Sequence, residues 1–518
     1  MKKLIALTLA TVMLLALCAC GGNSVNSGNA GSGDIPEGKA IADDAVLNVT
    51  ITSHASWPYE ESWKVWEYIK EEVGGTVNIT AVPIADFGTK FPLIMADREN
   101  FPDVLAIHNQ PSSFSSYCTQ GAFVPFDDYP EIMTDYNAFW ESVSEEEREM
   151  QKFRTHLDGK IYRTPIYGME RQKNVRCWLY RKDIFDKHNL KVPETIDEVY
   201  EVSKKLKELY PESYPFCVRT GFDNMCLIGP SFKEYFYHTL YYDFNNDKWS
   251  YGATEDVMKD IVLFYNKMVA EGLTPANLFT IKAAEWQELI TTDRGFIMAD
   301  YQTRIDFFNS MARTKNPGFN LTAMVPPKAN TPTATNKVNK YNVDPTGAMV
   351  LNTGDESRIE NAMRYVNWFY SDEGTEIVSW GKEGETYEIV DGKKKFIVEE
   401  GSSAILQYGF QTIGSYFRID PDAADAASSD EQVATTDMIL ENTVAYYNPA
   451  RWVSLTDEEA TLAADYNTSI ASFVTENLTK FIIGQRPMSE WDAFKAELLE
   501  LPVDELLAVY EAAYNRVK

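Results

Sequence analysis

Cys20 is the residue best placed for covalent chemistry. It closes the stretch Leu17-Cys18-Ala19-Cys20-Gly21-Gly22, with small Ala19 before it and glycine after it. Farther along the chain stand Cys118, Cys177, Cys217 and Cys226. Their spacing matches no zinc pattern, and so few thiols in a chain of 518 residues do not make a disulfide framework. Cys217 and Cys226 could close a small loop, or stay buried or simply free. The five His are scattered, and the chain holds no Gly-x-Ser-x-Gly elbow, His-Glu-x-x-His, Walker loop or Gly-x-Gly-x-x-Gly. Acyl transfer, zinc proteolysis and nucleotide chemistry therefore have no signature. Carboxylates are plentiful, so a glycosidase pair is not excluded by count. The abundant resource is aromatic: 11 Trp, 29 Tyr and 27 Phe supply both core and binding platforms, and position must separate the two.

The start of the chain explains Cys20. Met1-Lys2-Lys3 precedes an apolar run over residues 4–17, and small residues follow. A basic start, a short apolar core and small residues at the cut read as an export signal. The run is too short for a permanent membrane helix, which needs about 20 apolar residues. Its ending resembles a bacterial lipobox, in which the Cys after the cut takes a diacylglycerol thioether. Cys20 fits that role; Cys18 fits worse, because bulky Leu17 would precede the cut. Residues 21–33 are nearly all Gly, Asn, Ser and Ala. They cannot bury enough apolar surface to fold. Residues 20–44 thus form a flexible tether, reaching about 25–30 Å by random-coil scaling. The body is expected at the cell surface, lipid-anchored to the outer face of the cytoplasmic membrane, with no other membrane contact.

Lys and Arg total 48 against 77 Asp and Glu, a net charge of −29. So acidic a body repels phosphate backbones and argues against nucleic-acid partners. It argues more mildly against anionic ligands, because a local basic pocket can override the global field.

The elements that must position any site begin as β-α-β-α-β. Residues 46–52 alternate like a strand. A helix over 60–73 places Trp63, Trp66, Ile69 and Val73 on one face. A strand over 77–82, a helix over 87–97 and a buried strand over 103–107 follow. Strands alternating with helices imply a parallel sheet, whose ligands gather at the carboxyl ends of its strands. Those ends fall at residues 53–59, 83–86 and 108–112. Beyond residue 165 helices dominate. Thr195 with Glu198, and Thr456 with Glu459, mark capping boxes. A strand over 319–325 and a helix over 356–370 complete the outline.

Four stretches then resemble one family. They are Phe101-Pro102-Asp103-Val104 with Gly121-Ala122-Phe123-Val124-Pro125-Phe126-Asp127; Tyr180-Arg181-Lys182-Asp183 through Leu190-Lys191-Val192-Pro193-Glu194-Thr195; Trp380-Gly381-Lys382-Glu383-Gly384-Glu385-Thr386-Tyr387; and Lys480-Phe481-Ile482-Ile483-Gly484 with Ser489-Glu490-Trp491. In this order, behind the lipobox-like ending, the chain is identified as a member of the extracellular solute-binding proteins of family 1, the lipid-anchored receptors of ABC importers, usually for sugars, with a peptide or another polar solute as the alternative ligand. The resemblance implies an α/β fold of the two-lobed periplasmic-binding-protein type (type II), a ligand cleft between hinged lobes, permease subunits as partners, a monomer, and no enzymatic activity or cofactor. It places lobe one at 45–163 plus 322–370 and lobe two at 164–321 plus 371–518, after a signal at 1–19, with hinges near Arg163, Thr322 and Ser371. Long relatives carry a Ca²⁺ loop that this chain lacks. Asp243-Phe244-Asn245-Asn246-Asp247 is followed by Lys248 where an EF-hand turn needs Gly, so it reads as a turn and no metal is expected.

Sugars offer apolar C–H faces and rims of hydroxyls, which call for aromatic platforms and fork-like hydrogen-bond partners. Trp57 follows the first strand beside Pro58, off any helix face, and reads as a platform. Trp63, Trp66 and Trp286 sit at helical spacing and read as core. Asn109 follows the third strand. The resemblance adds Tyr167, past the first hinge, and Tyr301, Gln302 and Arg304, after a buried strand over 295–299. Arg304 could clamp hydroxyls or a carboxylate, or pair with Asp300 or Asp306. It also adds Trp380, Glu385 and Tyr387 from the loop typical of the family.

Overall fold

The computed structural model describes residues 35–516, apart from 56, 109–112, 146–147, 149–154, 169–174, 342–346, 400–401 and 447–452. Cys20 and Asn109 lie outside the described residues. Among the described residues no helix is long and apolar enough to cross a membrane.

The strands are, in chain order, β1 (Val46–Ser53), β2 (Thr76–Pro83), β3 (Val104–Ile107), β4 (Phe123–Val124), β5 (Arg176–Arg181), β6 (Leu240–Asp243), β7 (Lys248–Tyr251), β8 (Ile297–Tyr301), β9 (Leu321–Met324), β10 (Val338–Tyr341), β11 (Gly347–Leu351), β12 (Tyr387–Val390), β13 (Lys393–Phe396) and β14 (Thr443–Tyr446). One sheet runs β2-β1-β3-β11-β4, and a second runs β8-β5-β9. In the first, β1 pairs in parallel with β2 and β3, while β11 lies antiparallel to β3 and β4. The second is antiparallel throughout.

Alternation along these strands splits each lobe's core into two layers, because successive side chains leave opposite faces of a sheet. In lobe one, Val104, Ala106, Ala348 and Val350 join one apolar cluster, and Leu105, Ile107, Met349 and Leu351 join another. Strands buried on both faces need continuous apolar runs, which β3 and β11 have. In lobe two, Trp178, Ile297 and Met324 face one cluster, and Cys177, Leu179, Met298 and Leu321 face the other. The helices Lys64–Val73 and Glu356–Trp368 cover the lobe-one sheet with Trp66, Ile69, Met363 and Val366. The helices Asp256–Ala270 and Asp457–Ile482 cover lobe two.

Three expectations about boundaries fail. The tether does not run to residue 44: Ile41 and Ala42 are buried, and Ile41 packs into the lobe-one cluster. Thr322 is no hinge: it lies inside β9, paired with Tyr180 of β5 in the second sheet. Ser371 is no hinge either. It caps the helix Asp372–Trp380, accepting the Gly374 N–H at 2.9 Å. That helix and the segment after it, through Tyr387, Phe396, Phe410, Tyr416 and Ala424, pack into the lobe-one cluster. Stacking of Trp380, Phe396 and Phe410 gives residues 371–426 more buried apolar partners there than lobe two offers. The chain instead crosses between Ile166 and Val175, between Val338 and Ala348, and between Ala427 and Ser429, whose hydroxyl already bonds lobe-two Asp306.

Cys118, Cys177, Cys217 and Cys226 are free and buried, so the small Cys217–Cys226 loop is not closed. Burial raises the Cys118, Cys177 and Cys226 thiols well above the usual range and the Cys217 thiol to about 12. Such thiols are not nucleophiles. Asp243-Phe244-Asn245-Asn246-Asp247 forms the turn of the β6–β7 hairpin, where Lys233 Nζ sits 2.7 Å from Asp243.

Candidate ligand-binding cleft

Both sheets turn the carboxyl ends of key strands toward the crossings. Gly347 of β11 pairs with Ile107, the last residue of β3, so the second crossing enters lobe one at that end. Arg176, the first residue of β5, pairs with Tyr301, the last of β8, so the first crossing enters lobe two at the matching end. The crossings are tightly fitted. A Cβ on Gly347 would stand 2.1 Å from the Thr164 carbonyl, and one on Gly168, at φ +98°, would stand 2.0 Å from that of Ile419. Only glycine fits at such approaches. Tyr167 N–H donates to the Phe417 carbonyl at 2.9 Å, and Ile419 N–H donates to the Tyr167 carbonyl at 3.0 Å. The half-buried Tyr167 ring packs edge-on against Phe139, centroids 5.0 Å apart.

At the lobe-one end, β1 runs into a short bridged turn in which Trp57 N–H donates to the His54 carbonyl at 3.2 Å. The half-buried Trp57 ring stacks on His54 at 4.9 Å. Thr412 and Ile413, from a segment far downstream in the chain, close over this turn with Tyr59 and Trp63. They leave a crevice of about 10 Å³, about the room one water needs. A sugar ring does not fit inside it; Trp57 can serve only through the part of its ring left uncovered. The Trp63, Trp66 and Trp286 rings are buried, as helical spacing implies.

At the lobe-two end, the Arg176 guanidinium lies 3.3 Å from the centroid of the Tyr301 ring. Arg219 and Arg304 lie 5.6 Å and 6.0 Å from the same ring. Buried Asp300 receives both: Arg219 Nε stands 3.2 Å from Oδ2 and Arg304 Nε 3.3 Å from Oδ1. The ion pair weighed for Arg304 is therefore with Asp300; Asp306 instead accepts from the Ser429 N–H at 2.9 Å. Gln302 faces inward. It is fully buried, and its amide nitrogen donates to the Gln432 carbonyl at 3.1 Å and the Thr436 hydroxyl at 2.8 Å.

The three residues from the family-typical loop lie elsewhere. Trp380 ends a helix rather than sitting in a loop, and only 2% of it is exposed. Its indole N–H donates to Asp420 Oδ2 at 2.8 Å, and its ring stacks on Phe396 at 5.0 Å. Tyr387 is buried on β12, its hydroxyl donating to Glu376 at 3.2 Å. Burial, then the Glu376 charge, raises its phenol above the usual range. Glu385 is 51% exposed and accepts from the Tyr68 hydroxyl at 3.0 Å. Burial and this bond push the Tyr68 phenol well up.

Sequence reasoning missed Arg176, Arg219, Thr412 and Ile413. A signal existed for Arg219: Phe216-Cys217-Val218-Arg219 is a short apolar run ending in a cation, and Phe216 bridges in parallel to Ile297. Nothing local marks Thr412 and Ile413, whose approach is made by the fold.

Two α/β lobes joined by several crossings, with strand ends meeting between them, define a two-lobed solute-binding protein. The chain belongs to the family of bacterial extracellular solute-binding proteins, which matches residues 60–376, more than half its length. Lipoprotein LipO of Bacillus subtilis (strain 168) is 22% identical over 250 residues, 46% of each chain. The polygalacturonan/rhamnogalacturonan-binding protein YtcQ of the same organism is 29% identical over 179 residues, 34% of this chain and 33% of that one. These matches thus span less than half the length of either relative. The alginate-binding protein AlgQ2, solved without calcium ion, superposes with TM-score 0.72 at 22% identity, covering 92% of this chain and 99% of that one. The S. pneumoniae ABC-transporter substrate-binding protein FusA with kestose superposes with TM-score 0.71 at 16% identity, covering 91% and 99%.

Proposed function

We propose that this chain is the substrate-binding lipoprotein of an ABC importer, capturing an extracellular sugar or oligosaccharide between its lobes and delivering it to membrane permease subunits. One observation carries this reading: each lobe brings an aromatic ring, Trp57 or Tyr301, to a strand end beside the crossings. Rings at both walls suit the C–H faces of a sugar, and Arg304 supplies a fork for its oxygens. Tyr167 stands at the first crossing and Asn109 follows β3, so both belong to the proposed contact set. The names of the relatives support a saccharide, since alginate, kestose and polygalacturonan are all carbohydrates. The ligand closes the cleft by touching both lobes, which biases a hinge equilibrium toward the closed form. The chain acts as a monomer, without a cofactor and without turning its ligand over.

Titration calorimetry of the purified protein against an oligosaccharide panel, with chromatography of the recovered ligand, tests this. Binding of at least one saccharide, recovered intact, is expected; cleavage products, or affinity for peptides alone, overturn it. The anchor is tested separately. Cys20→Ser should leave the precursor unprocessed or release the protein from the membrane. If the Cys20→Ser protein is still processed and labelled by lipid, the anchor lies elsewhere.

A further inference from the structure

The sign of the charge at the lobe-two end runs against that of the whole protein. The chain carries −29 net, yet Arg176, Arg219 and Arg304 all lie within about 6 Å of one ring, that of Tyr301. Arg219 and Arg304 share a single carboxylate, Asp300. Among the described residues no second acidic side chain stands within ion-pair distance of either. Asp300 is itself committed: besides the two guanidiniums, its Oδ1 accepts the Tyr301 N–H at 2.7 Å. The pair therefore keeps a positive excess that Asp300 cannot neutralise.

The guanidiniums are held but not sealed. Arg219 is 29% exposed and Arg304 14%. Arg219 is oriented by its Nη2 donating to Asn224 Oδ1 at 2.8 Å. Arg304 is oriented by the flanking rings of Trp286 and Phe307, each 5.5 Å away. Arg304 donates its Nε–H to Asp300 Oδ1 at 3.3 Å, and among the described residues no acceptor is bonded to its terminal nitrogens; Arg219 keeps its Nε 3.2 Å from Oδ2 without a hydrogen bond there. A guanidinium fixed through Nε and open at its terminal nitrogens presents the fork that matches a carboxylate with two parallel bonds. Neutral hydroxyls do not require such a fork with a second guanidinium beside it, and concentrating charge here has a cost that a neutral ligand does not offset. A local basic site in an acidic body also serves discrimination, since the surrounding field repels anions that do not reach this pair.

We infer that the ligand of this cleft is an acidic, uronate-bearing oligosaccharide, with a sugar carboxylate seated on Arg219 and Arg304 and the adjoining sugar face against Tyr301. This rests on the carbohydrate reading above and narrows it to one chemical class. Arg176, stacked on the same ring, holds the platform in place.

The test compares ligands that differ only in charge. Short oligogalacturonates and oligoalginates are titrated into the full mature protein beside methyl-esterified oligogalacturonate, which keeps size and shape and loses the charge. The acids are expected to bind at least about tenfold tighter than the ester, the discrimination one charge-assisted bond gives, and to weaken as salt is raised. Arg219→Gln is expected to remove most of that preference, read as the ratio of acid to ester affinity. Arg304→Lys, which keeps the charge and loses the fork, should lose part of it. The wild-type comparison needs no variant to fold. Equal binding of acid and ester, or binding of neutral saccharides alone, overturns the acidic class but leaves carbohydrate capture standing. Binding of polyglutamate with no saccharide binding overturns both.

Discussion

Replacing Arg181 with Ala is expected to lower stability by about 3–5 kcal/mol, the range for removing one partner of a buried ion pair. Arg181 is fully buried, yet it is paired on every side. Nε and Nη2 donate to the two oxygens of Asp183 at 2.8 and 2.7 Å, Nη2 also reaches Asp293 at 2.7 Å, and Nη1 donates to the Ile290 carbonyl at 3.0 Å. The Phe319 ring lies 3.9 Å away. Burial opposes the charge, but the bonds and charges of Asp183 and then Asp293 outweigh it and hold the guanidinium pKa above its ordinary value. Truncation strands Asp183 and a carbonyl in low dielectric, which costs more than the pair's net worth. Asp293 is 42% exposed and rehydrates, so the effect belongs near the lower end. The consequence reaches the cleft, because Arg181 pins β5 and β5 presents Arg176 to Tyr301. Chemical denaturation checks this. A loss under about 1 kcal/mol, the range of a surface pair, would show that the cluster is not structural.

The second large effect separates core from platform. Trp380→Ala should cost about 3–5 kcal/mol, as buried aromatic truncations do. Its ring stacks on Phe396 with Lys394 Nζ 5.3 Å from its centroid, and its N–H donates to Asp420, the cap of the helix Pro421–Ala426. Ligand affinity of the folded fraction should stay within about a factor of two to three, the size of a few tenths of a kcal/mol. Trp57→Ala should do the reverse. Its half-buried ring adds little to the core, and its loss should weaken binding by about 1–3 kcal/mol, as truncated interface aromatics do. Paired melting and titration curves on the two variants decide. Unchanged melting in Trp380→Ala, or intact affinity in Trp57→Ala, contradicts these roles.

Local patterns in the chain are enough for the elements and too little for their partners. The alternating run at 46–52 and the apolar run at 103–107 form β1 and β3, and the Lys64–Val73 helix buries Trp66, Ile69 and Val73. Thr456 and Glu459 form the full reciprocal cap. At the other site only half forms: Thr195 accepts the Glu198 N–H, but the Glu198 carboxylate takes the N–H of Glu194. The boundaries fail because a strand's pattern states that it is buried, not in which sheet. Thr322 and Ser371 sit in ordinary strand and cap sequences whose lobe is decided by distant packing. Trp380 misleads for the same reason. A Trp before Gly381 looks like a loop until Phe396 and Asp420, farther along the chain, are brought to it. The Arg304–Asp300 pair is legible, being only four residues apart in the sequence. Arg176 and Arg219 join it only through the pairing of β5 and residue 216 with β8.

Small-angle scattering of the full mature protein with and without a saturating saccharide tests the central claim, capture between two lobes. Trp57 and Tyr301 stand on different lobes, so a ligand touching both must draw them together by rotation of one lobe against the other. A smaller radius of gyration on saturation is the expected result. An unchanged radius, with calorimetry confirming that the same ligand is bound, would contradict it.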